Sequence, residues 1–219
     1  MPTDRIAHRG FADDYPENTP LAFRTAAEHA DAVEMDVQRC GSGELVVFHD
    51  AKLGRVTDRF GLVQDTPWSV LWGLTILDSD ETVPSLETAL GSVPAGTAIN
   101  LELKHVGMAD EVLDAVEDVE NEILLSSFDS NVLRDLRERD DDVRLAYINQ
   151  RGPNCIDTAV DLDCVCVHPR ADLCDAAFVE RAHQEGLRVN SWTVDDEEGA
   201  AALADAGVDG IVSDTSAVF

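Results

Sequence analysis

Short apolar runs rich in Val and Ile recur along the chain, each followed by a stretch rich in Ala, Leu and acidic residues with helical spacing. The runs predict strands near residues 4–8, 32–37, 98–104, 122–127, 143–148, 163–167, 187–193 and 208–213. Their starts lie 20–28 residues apart, save for one gap of 66. That spacing leaves room for a crossover helix after each strand and predicts an α/β fold, a (β/α)8 TIM-type barrel of parallel strands. A doubly wound sheet is the alternative, but no Gly-rich phosphate loop follows the first run. The long gap holds an additional short strand, "ELVVFHD", and a loop-and-helix insertion over about 50–83 that should cover the mouth of the barrel. No stretch has the composition of a linker, so residues 1–219 are expected to form one barrel domain with a small insertion after the second strand. The chain falls short of the ~250 residues usual for this fold, so its helices should be compact. After the last strand, "SDTSAVF" leaves room for only a short eighth helix or none.

Two strands break the pattern. Strands of a parallel barrel are covered on both faces and normally carry continuous apolar runs. In "AVEMDV", however, Glu34 and Asp36 share one face while Val33, Met35 and Val37 share the other. In "INLELK", Asn100, Glu102 and Lys104 share a face, with Leu101 and Leu103 opposite. The apolar sets must meet the outer helices, so the charged sets point into the barrel. Carboxylates there cost several kcal/mol each unless paired or bound to metal, which places them near an open end. In barrel enzymes that end is the C-terminal mouth. A structural salt bridge from Lys104 to Glu34 or Glu102 is one reading. Three acids against one Lys leave a surplus, and a divalent cation would balance it. An all-oxygen ligand set suits Mg²⁺, Ca²⁺ or Mn²⁺.

Composition narrows the partners. The chain carries 44 Asp and Glu against 16 Lys and Arg, a net charge of −28. That disfavours nucleic acid and anionic membrane surfaces, both of which attract basic patches. No run approaches 18 uninterrupted apolar residues, and Met1-Pro2-Thr3-Asp4 is not the basic start of a signal peptide, so no membrane anchor is expected. The five cysteines form no CxxC pair and are odd in number, as expected of free thiols in a reducing cytoplasm. Fourteen of the 16 basic residues are Arg; the lysines are Lys52 and Lys104 alone. An acidic, lysine-poor surface is the composition of a protein that works in multimolar salt, where the Debye length falls to about 3 Å and self-repulsion is screened. The acid excess is then a solvation device rather than a guide to substrate.

His8 ends the first strand, and "LVVFHD" ends in His49-Asp50, so two imidazoles fall at strand ends beside the acid cluster. Such a pair suits general acid–base catalysis near neutral pH. Arg9 adds a planar fork for a phosphate. Asp50 is placed either to orient His49 or to stabilise a turn. His29, His105, His168 and His183 lack such company and are expected to be structural. Thr19 as N-cap with Pro20 in the first helical position should begin the first helix. Glu17 and Asn18, just before it, are expected to shape the loop rather than reach substrate.

Taken together, "AHRG", "PENT", "AVEMDV", "GELVVFHD", "NLELK", "SSF", "VNSWTV" and "AGVDGIVSD" follow one another in an order that resembles the glycerophosphodiester phosphodiesterase family over almost the whole chain. The resemblance implies a TIM-type barrel, a divalent metal, and hydrolysis of small-molecule glycerophosphodiesters to glycerol phosphate and an alcohol. By position it implies metal ligands Glu34, Asp36 and Glu102, an acid–base pair His8 and His49, and phosphate contacts from Arg9 and Lys104. Trp192 would form part of the wall beside the glycerol or the leaving group, its other role being core packing. Two alternatives share these residues. One is a phospholipase-type phosphodiesterase acting on intact lipid, which the acidic charge disfavours. The other is a non-catalytic phosphodiester-binding module, which would not need His8 and His49 together.

The charge pattern makes a direct prediction. With 44 acids unscreened, the folded state should loosen on dilution below about 0.5 M salt. Thermal melts across a KCl series should show Tm rising with salt, and a Tm flat from low to multimolar KCl would remove the halophilic reading.

Overall fold

The apolar runs close into one ring of strands. The computed structural model describes residues 3–150, 152 and 154–219; Met1 and Pro2, half of the start read above as no leader, lie outside them. Among the described residues the strands are β1 (Asp4–Ala7), β2 (Ala32–Arg39), β3 (Leu45–Val47), β4 (Ala98–Leu103), β5 (Ile123–Ser127), β6 (Leu145–Asn149), β7 (Cys166–Pro169), β8 (Arg188–Ser191) and β9 (Gly210–Ser213). All except β3 are mutually parallel, in the order β1-β2-β4-β5-β6-β7-β8-β9, and β9 pairs back to β1. The predicted eight-stranded parallel barrel is therefore the observed one.

Helices α1 (Pro20–Ala26), α2 (Trp68–Leu71), α3 (Leu86–Leu90), α4 (Ala109–Val116), α5 (Ser130–Arg137), α6 (Cys155–Asp161), α7 (Ala176–Gln184) and α8 (Glu197–Ala206) follow the strands, α2 lying inside the insertion. They are short, as the chain length requires, and after β9 only a 3-10 turn, Ser216–Val218, takes the place of a further helix. Thr19 caps α1 by accepting from the Ala22 amide, with Pro20 next. Asp129, Asp175 and Asp196 cap α5, α7 and α8 through their carboxylates. Part of the acid excess thus lies where helix N-termini favour negative charge.

Side-chain alternation on β2 and β4 falls as the pattern requires. Val33, Met35, Val37, Ile99, Leu101 and Leu103 are buried in one core cluster against the helices, which turns Glu34, Asp36 and Glu102 toward the barrel axis. A separate cluster of Cys40, Val46, Phe48, Leu53, Val56, Val63, Leu71, Ile76 and Val83 packs the insertion. All five cysteines are buried and unpaired. No helix among the described residues is long and apolar enough to cross a membrane.

Two elements differ from the sequence expectation by more than a residue or two at a strand end. Strand β7 starts at Cys166 rather than at 163, because Asp163 takes a left-handed conformation, φ 52°, in the turn that ends α6. There the Cys164 amide bonds back to the Ala159 carbonyl. Strand β3 does not end at the mouth in the manner of β1. It runs antiparallel to β2, pairing Leu45–Val47 with Val37–Arg39 beyond the barrel rim, so the chain after it descends to the mouth from outside.

At the end of β1 the backbone turns through Arg9 (φ 51°), Gly10 (φ 79°) and Phe11 (φ 65°), three left-handed residues in a row. A Cβ on Gly10 would lie 2.7 Å from Ala22 Cβ and 2.9 Å from the Ala22 carbonyl carbon. Gly10→Ala should therefore lower unfolding stability by on the order of 3 kcal/mol, combining backbone strain with overpacking. Denaturant unfolding measures it, and an unchanged midpoint would contradict the packing described.

Candidate active site

The register between β2 and β4 creates the site. Glu34 lies opposite Asn100, and Asp36 lies opposite Glu102, on the inward face. Directly opposed like charges repel, yet Asp36 is fully buried and Glu34 and Glu102 nearly so. One carboxylate oxygen from each of the three lies within 4.8 Å of the others.

Around them the chain arranges positive charge and donors. Lys104 Nζ contacts Asp36 Oδ1 at 2.6 Å and bonds Glu102 Oε1. The left-handed turn after β1 points the Arg9 amide at Glu34 Oε2, 3.0 Å away, while the Arg9 guanidinium reaches Asp36 at 3.4 Å. Asn18, itself left-handed at φ 58°, donates from Nδ2 to Asp36 at 2.7 Å and accepts from the Asp36 amide through Oδ1. Burial alone would raise the Asp36 carboxyl, but Lys104 and Arg9 hold it well below the usual range. Burial likewise works against the Lys104 charge, and Asp36 and Glu102 outweigh it, so the ammonium stays protonated. Glu34 is less compensated. Burial, then Asp36, push it up to about 8. Glu102 is raised for the same two reasons.

The two imidazoles stand at this cluster with one carboxylate each. His8 Nδ1 lies 2.6 Å from Asp214 Oδ1, and its Nε2 lies 4.0 Å from Glu34. His49 Nδ1 lies 2.7 Å from Asp50 Oδ1. Of the two roles open to Asp50, the structure shows it bonded to His49. Burial lowers the His8 pKa, but the bond to Asp214 and the charge of Glu34 reverse this and raise it overall. His49 goes the other way, because burial lowers it and Lys104 and Arg9 add repulsion against the opposing pull of Asp36. The pair is thus biased in opposite directions, His8 toward the charged form and His49 toward the neutral one.

His49 belongs to no strand. Its loop is held by Gln38, buried on the outer end of β2, whose Nε2 donates to the carbonyls of Phe48, His49 and Asp50 at 2.6, 3.0 and 2.9 Å. Trp192 follows β8 at the same mouth, half-buried, with its indole N–H donating to the His168 carbonyl at 2.8 Å. Its ring meets Phe128, which follows β5, edge-on at 5.4 Å. His168 lies deep in the barrel against Asn190, kept neutral by burial with a pKa near 4. His183 pairs with Asp209 on the surface, His29 is exposed, and His105 reaches Gln38 at 3.4 Å. A cavity of about 440 Å³ opens at the opposite, N-terminal end of the barrel, lined by residues such as Asp4, Ile6, Asp31 and Arg188, and contains none of the candidate residues.

The residues present fit a divalent cation. They offer three convergent hard oxygen ligands, and Glu34 Oε1 is buried with no hydrogen-bond partner. The structure therefore brings together His8, Arg9, Glu34, Asp36, His49, Glu102 and Lys104, with Trp192 at the rim. It adds Asp214 and Gln38, which sequence reasoning did not place, and Asn18, expected only to shape its loop, which here bonds Asp36. "GIVSD" put Asp214 one residue beyond the last strand, the same station that His8 takes after β1. That coincidence was the available signal.

Comparison with known proteins points to one family. Residues 8–218 match the model of the glycerophosphoryl diester phosphodiesterase family. A glycerophosphodiester phosphodiesterase of Caldanaerobacter subterraneus is 30% identical over 98% of this chain and 95% of its own. One from Bacillus altitudinis is 31% identical over 97% of this chain and 94% of its own. Among solved structures, a phosphodiesterase of Oleispira antarctica in complex with the product sn-glycerol-3-phosphate superposes with a TM-score of 0.92 at 28% identity, covering 100% of this chain and 95% of that one. The glycerophosphodiester phosphodiesterase of Thermotoga maritima superposes at 0.83 with 26% identity, covering 99% and 96%.

The raised Glu34 yields a measurable outcome. A cation ligated there must displace its proton. At pH 7, below the Glu34 value of about 8, binding of Mg²⁺ or Mn²⁺ should release at least ~0.5 proton per ion, and the release should fade as pH rises past that value. Titration calorimetry in buffers of different ionisation heat counts these protons. Binding without proton release would contradict Glu34 as a ligand.

Proposed function

This chain belongs to the glycerophosphoryl diester phosphodiesterase family, and on that footing we propose that it hydrolyses small glycerophosphodiesters to glycerol phosphate and an alcohol through His8 and His49. One observation carries the reading: two imidazoles, each bonded to its own carboxylate, stand beside the buried acid cluster with opposite pKa bias. Glycerol phosphate as a product follows the ligand of the Oleispira antarctica relative.

A divalent cation held by Glu34, Asp36 and Glu102, Mg²⁺, Ca²⁺ or Mn²⁺, supplies Lewis-acid neutralisation of phosphate charge. Arg9 and Lys104 bind and orient the phosphate; Arg9 already projects its guanidinium into the site, and Lys104 turns from Asp36 and Glu102 toward substrate. His49, biased neutral, accepts the proton of the attacking hydroxyl, supplied by water or by the neighbouring glycerol oxygen. His8, biased charged, gives its proton to the leaving oxygen. Asp214 accepts from His8 Nδ1–H and so turns the Nε2–H of the charged ring toward the reacting atoms, while Asp50 accepts from Nδ1–H of neutral His49 and leaves its Nε2 bare to take a proton. Trp192 and Phe128 wall the mouth on the side of the glycerol or the alcohol. The barrel and the insertion act as one domain, since Asp50 comes from the insertion side of the mouth. A net charge of −28 with two lysines, and five unpaired thiols, support work in the cytoplasm of a cell with concentrated internal salt.

Hydrolysis of glycerophosphocholine or a related diester should stop with EDTA and return with Mg²⁺, Mn²⁺ or Ca²⁺. Full turnover by metal-free protein would overturn the metal assignment, and binding without turnover would identify a binding module instead. His8→Ala and His49→Ala should each lower kcat by ~10²–10⁴, and near-normal kcat in either variant would make that His structural.

The assignment of acid and base has its own test. Activity should fall at low pH as His49 protonates and at high pH as His8 loses its proton. Asp214→Asn removes the group that raises His8, so the alkaline limb should move to lower pH while the acid limb stays. If the acid limb moves instead, the two roles are reversed.

A further inference from the structure

Arg55 touches none of the groups expected to meet substrate, yet it connects two of them. It closes the 3-10 turn Leu53–Arg55 of the insertion. Its Nη1 and Nη2 donate to the two oxygens of Glu17 at 2.6 and 2.7 Å, a planar fork on a carboxylate. Its Nε donates to Asp50 Oδ2, whose other oxygen bonds His49 Nδ1 at 2.7 Å. Glu17, in turn, is buried and accepts from Arg9 Nη1 at 3.3 Å. One guanidinium therefore fixes the carboxylate that orients His49 and the carboxylate that orients Arg9. Three donors in one plane serve three oxygens on two side chains. A lysine ammonium is a single point and cannot hold both with that geometry.

We propose that Arg55 is a positioning residue for the hydrolysis reaction: it sets His49 through Asp50 and Arg9 through Glu17, so that the insertion aligns the base with the phosphate-binding arginine. The proposal rests on the acid–base reading of His49 given above. If Arg55 acts in this way, losing it harms the chemical step more than substrate affinity, because Arg9 keeps its own contacts with Asp36 and Glu34 while a slightly misplaced base costs rate.

The experiment compares Arg55→Ala and Arg55→Lys with the wild type in kinetics, melting and histidine NMR. Arg55→Ala should lose at least ~30-fold in kcat with KM changed less than ~3-fold, and Arg55→Lys should recover little of it. Because Arg55 is half-exposed, millimolar guanidinium should enter the gap and restore at least ~5-fold to Arg55→Ala, while equal methylammonium should not. A kcat within threefold of the wild type, or a loss that follows unfolding and that neither Arg55→Lys nor guanidinium changes, would overturn the proposal. The ¹⁵N spectrum of the His49 ring keeps this test separate from the activity reading. If the wild type hydrolyses no diester, that reading fails, and the spectrum still decides Arg55. Loss of the single Nδ1–H tautomer in the variants upholds it, and an unchanged ring signal overturns it.

Discussion

Asp36 and Glu102 face each other across two hydrogen-bonded strands, both out of water, with Glu34 two residues away on the same face. Left alone this arrangement is strongly unfavourable, because each buried carboxylate keeps its charge only if something compensates it. Much of the local structure at the barrel mouth follows from that requirement. Lys104 sits two residues beyond Glu102 on the same face and bridges Glu102 and Asp36. The turn at 9–11 takes three left-handed residues, two of them, Arg9 and Phe11, strained, and in doing so it delivers the Arg9 amide to Glu34 and the guanidinium to Asp36. Asn18 takes a fourth left-handed conformation and bonds Asp36 in both directions. Backbone strain at Arg9, Phe11 and Asn18 is offset by the charge compensation it allows.

The compensation is incomplete, and the shortfall has chemical use. Two cations serve three acids, and Glu34 is left with a raised pKa and an unpartnered oxygen. A divalent cation would close that balance and free Lys104 to meet a phosphate. The same residues then stabilise the protein without substrate and bind charge with it. The surroundings also separate the imidazoles: Asp214 and then Glu34 raise His8 against burial, while burial, with Lys104 and Arg9, lowers His49 against the pull of Asp36.

Much of this was legible in the sequence, for identifiable reasons. The parallel barrel shows itself because doubly covered strands are continuous apolar runs, and Glu34, Asp36 and Glu102 stand out by breaking that rule on one face. His8 is readable because it directly follows a barrel strand. His49 was placed at the mouth for a reason that does not hold, since β3 is antiparallel and lies outside the ring; Gln38 and the insertion bring it there. Side-chain bonds between distant segments leave no periodic trace. That is why Gln38 under the His49 loop and Arg55 between Glu17 and Asp50 emerge only from the folded chain, whereas Asp214 had a single trace, its place directly after the last strand. The start of β7 was misplaced because Asp163 looks like a strand edge in sequence and is a left-handed turn residue in space.

On the reading proposed above, the three buried carboxylates form a cation site that Lys104 partly fills in the metal-free protein. Crystals grown with Mn²⁺ and measured at an energy where manganese scatters anomalously test it most directly. One anomalous peak is expected among Glu34, Asp36 and Glu102, with Lys104 Nζ moved off Asp36. Active protein whose crystals show no such peak, with Lys104 still bridging Asp36 and Glu102, would contradict it.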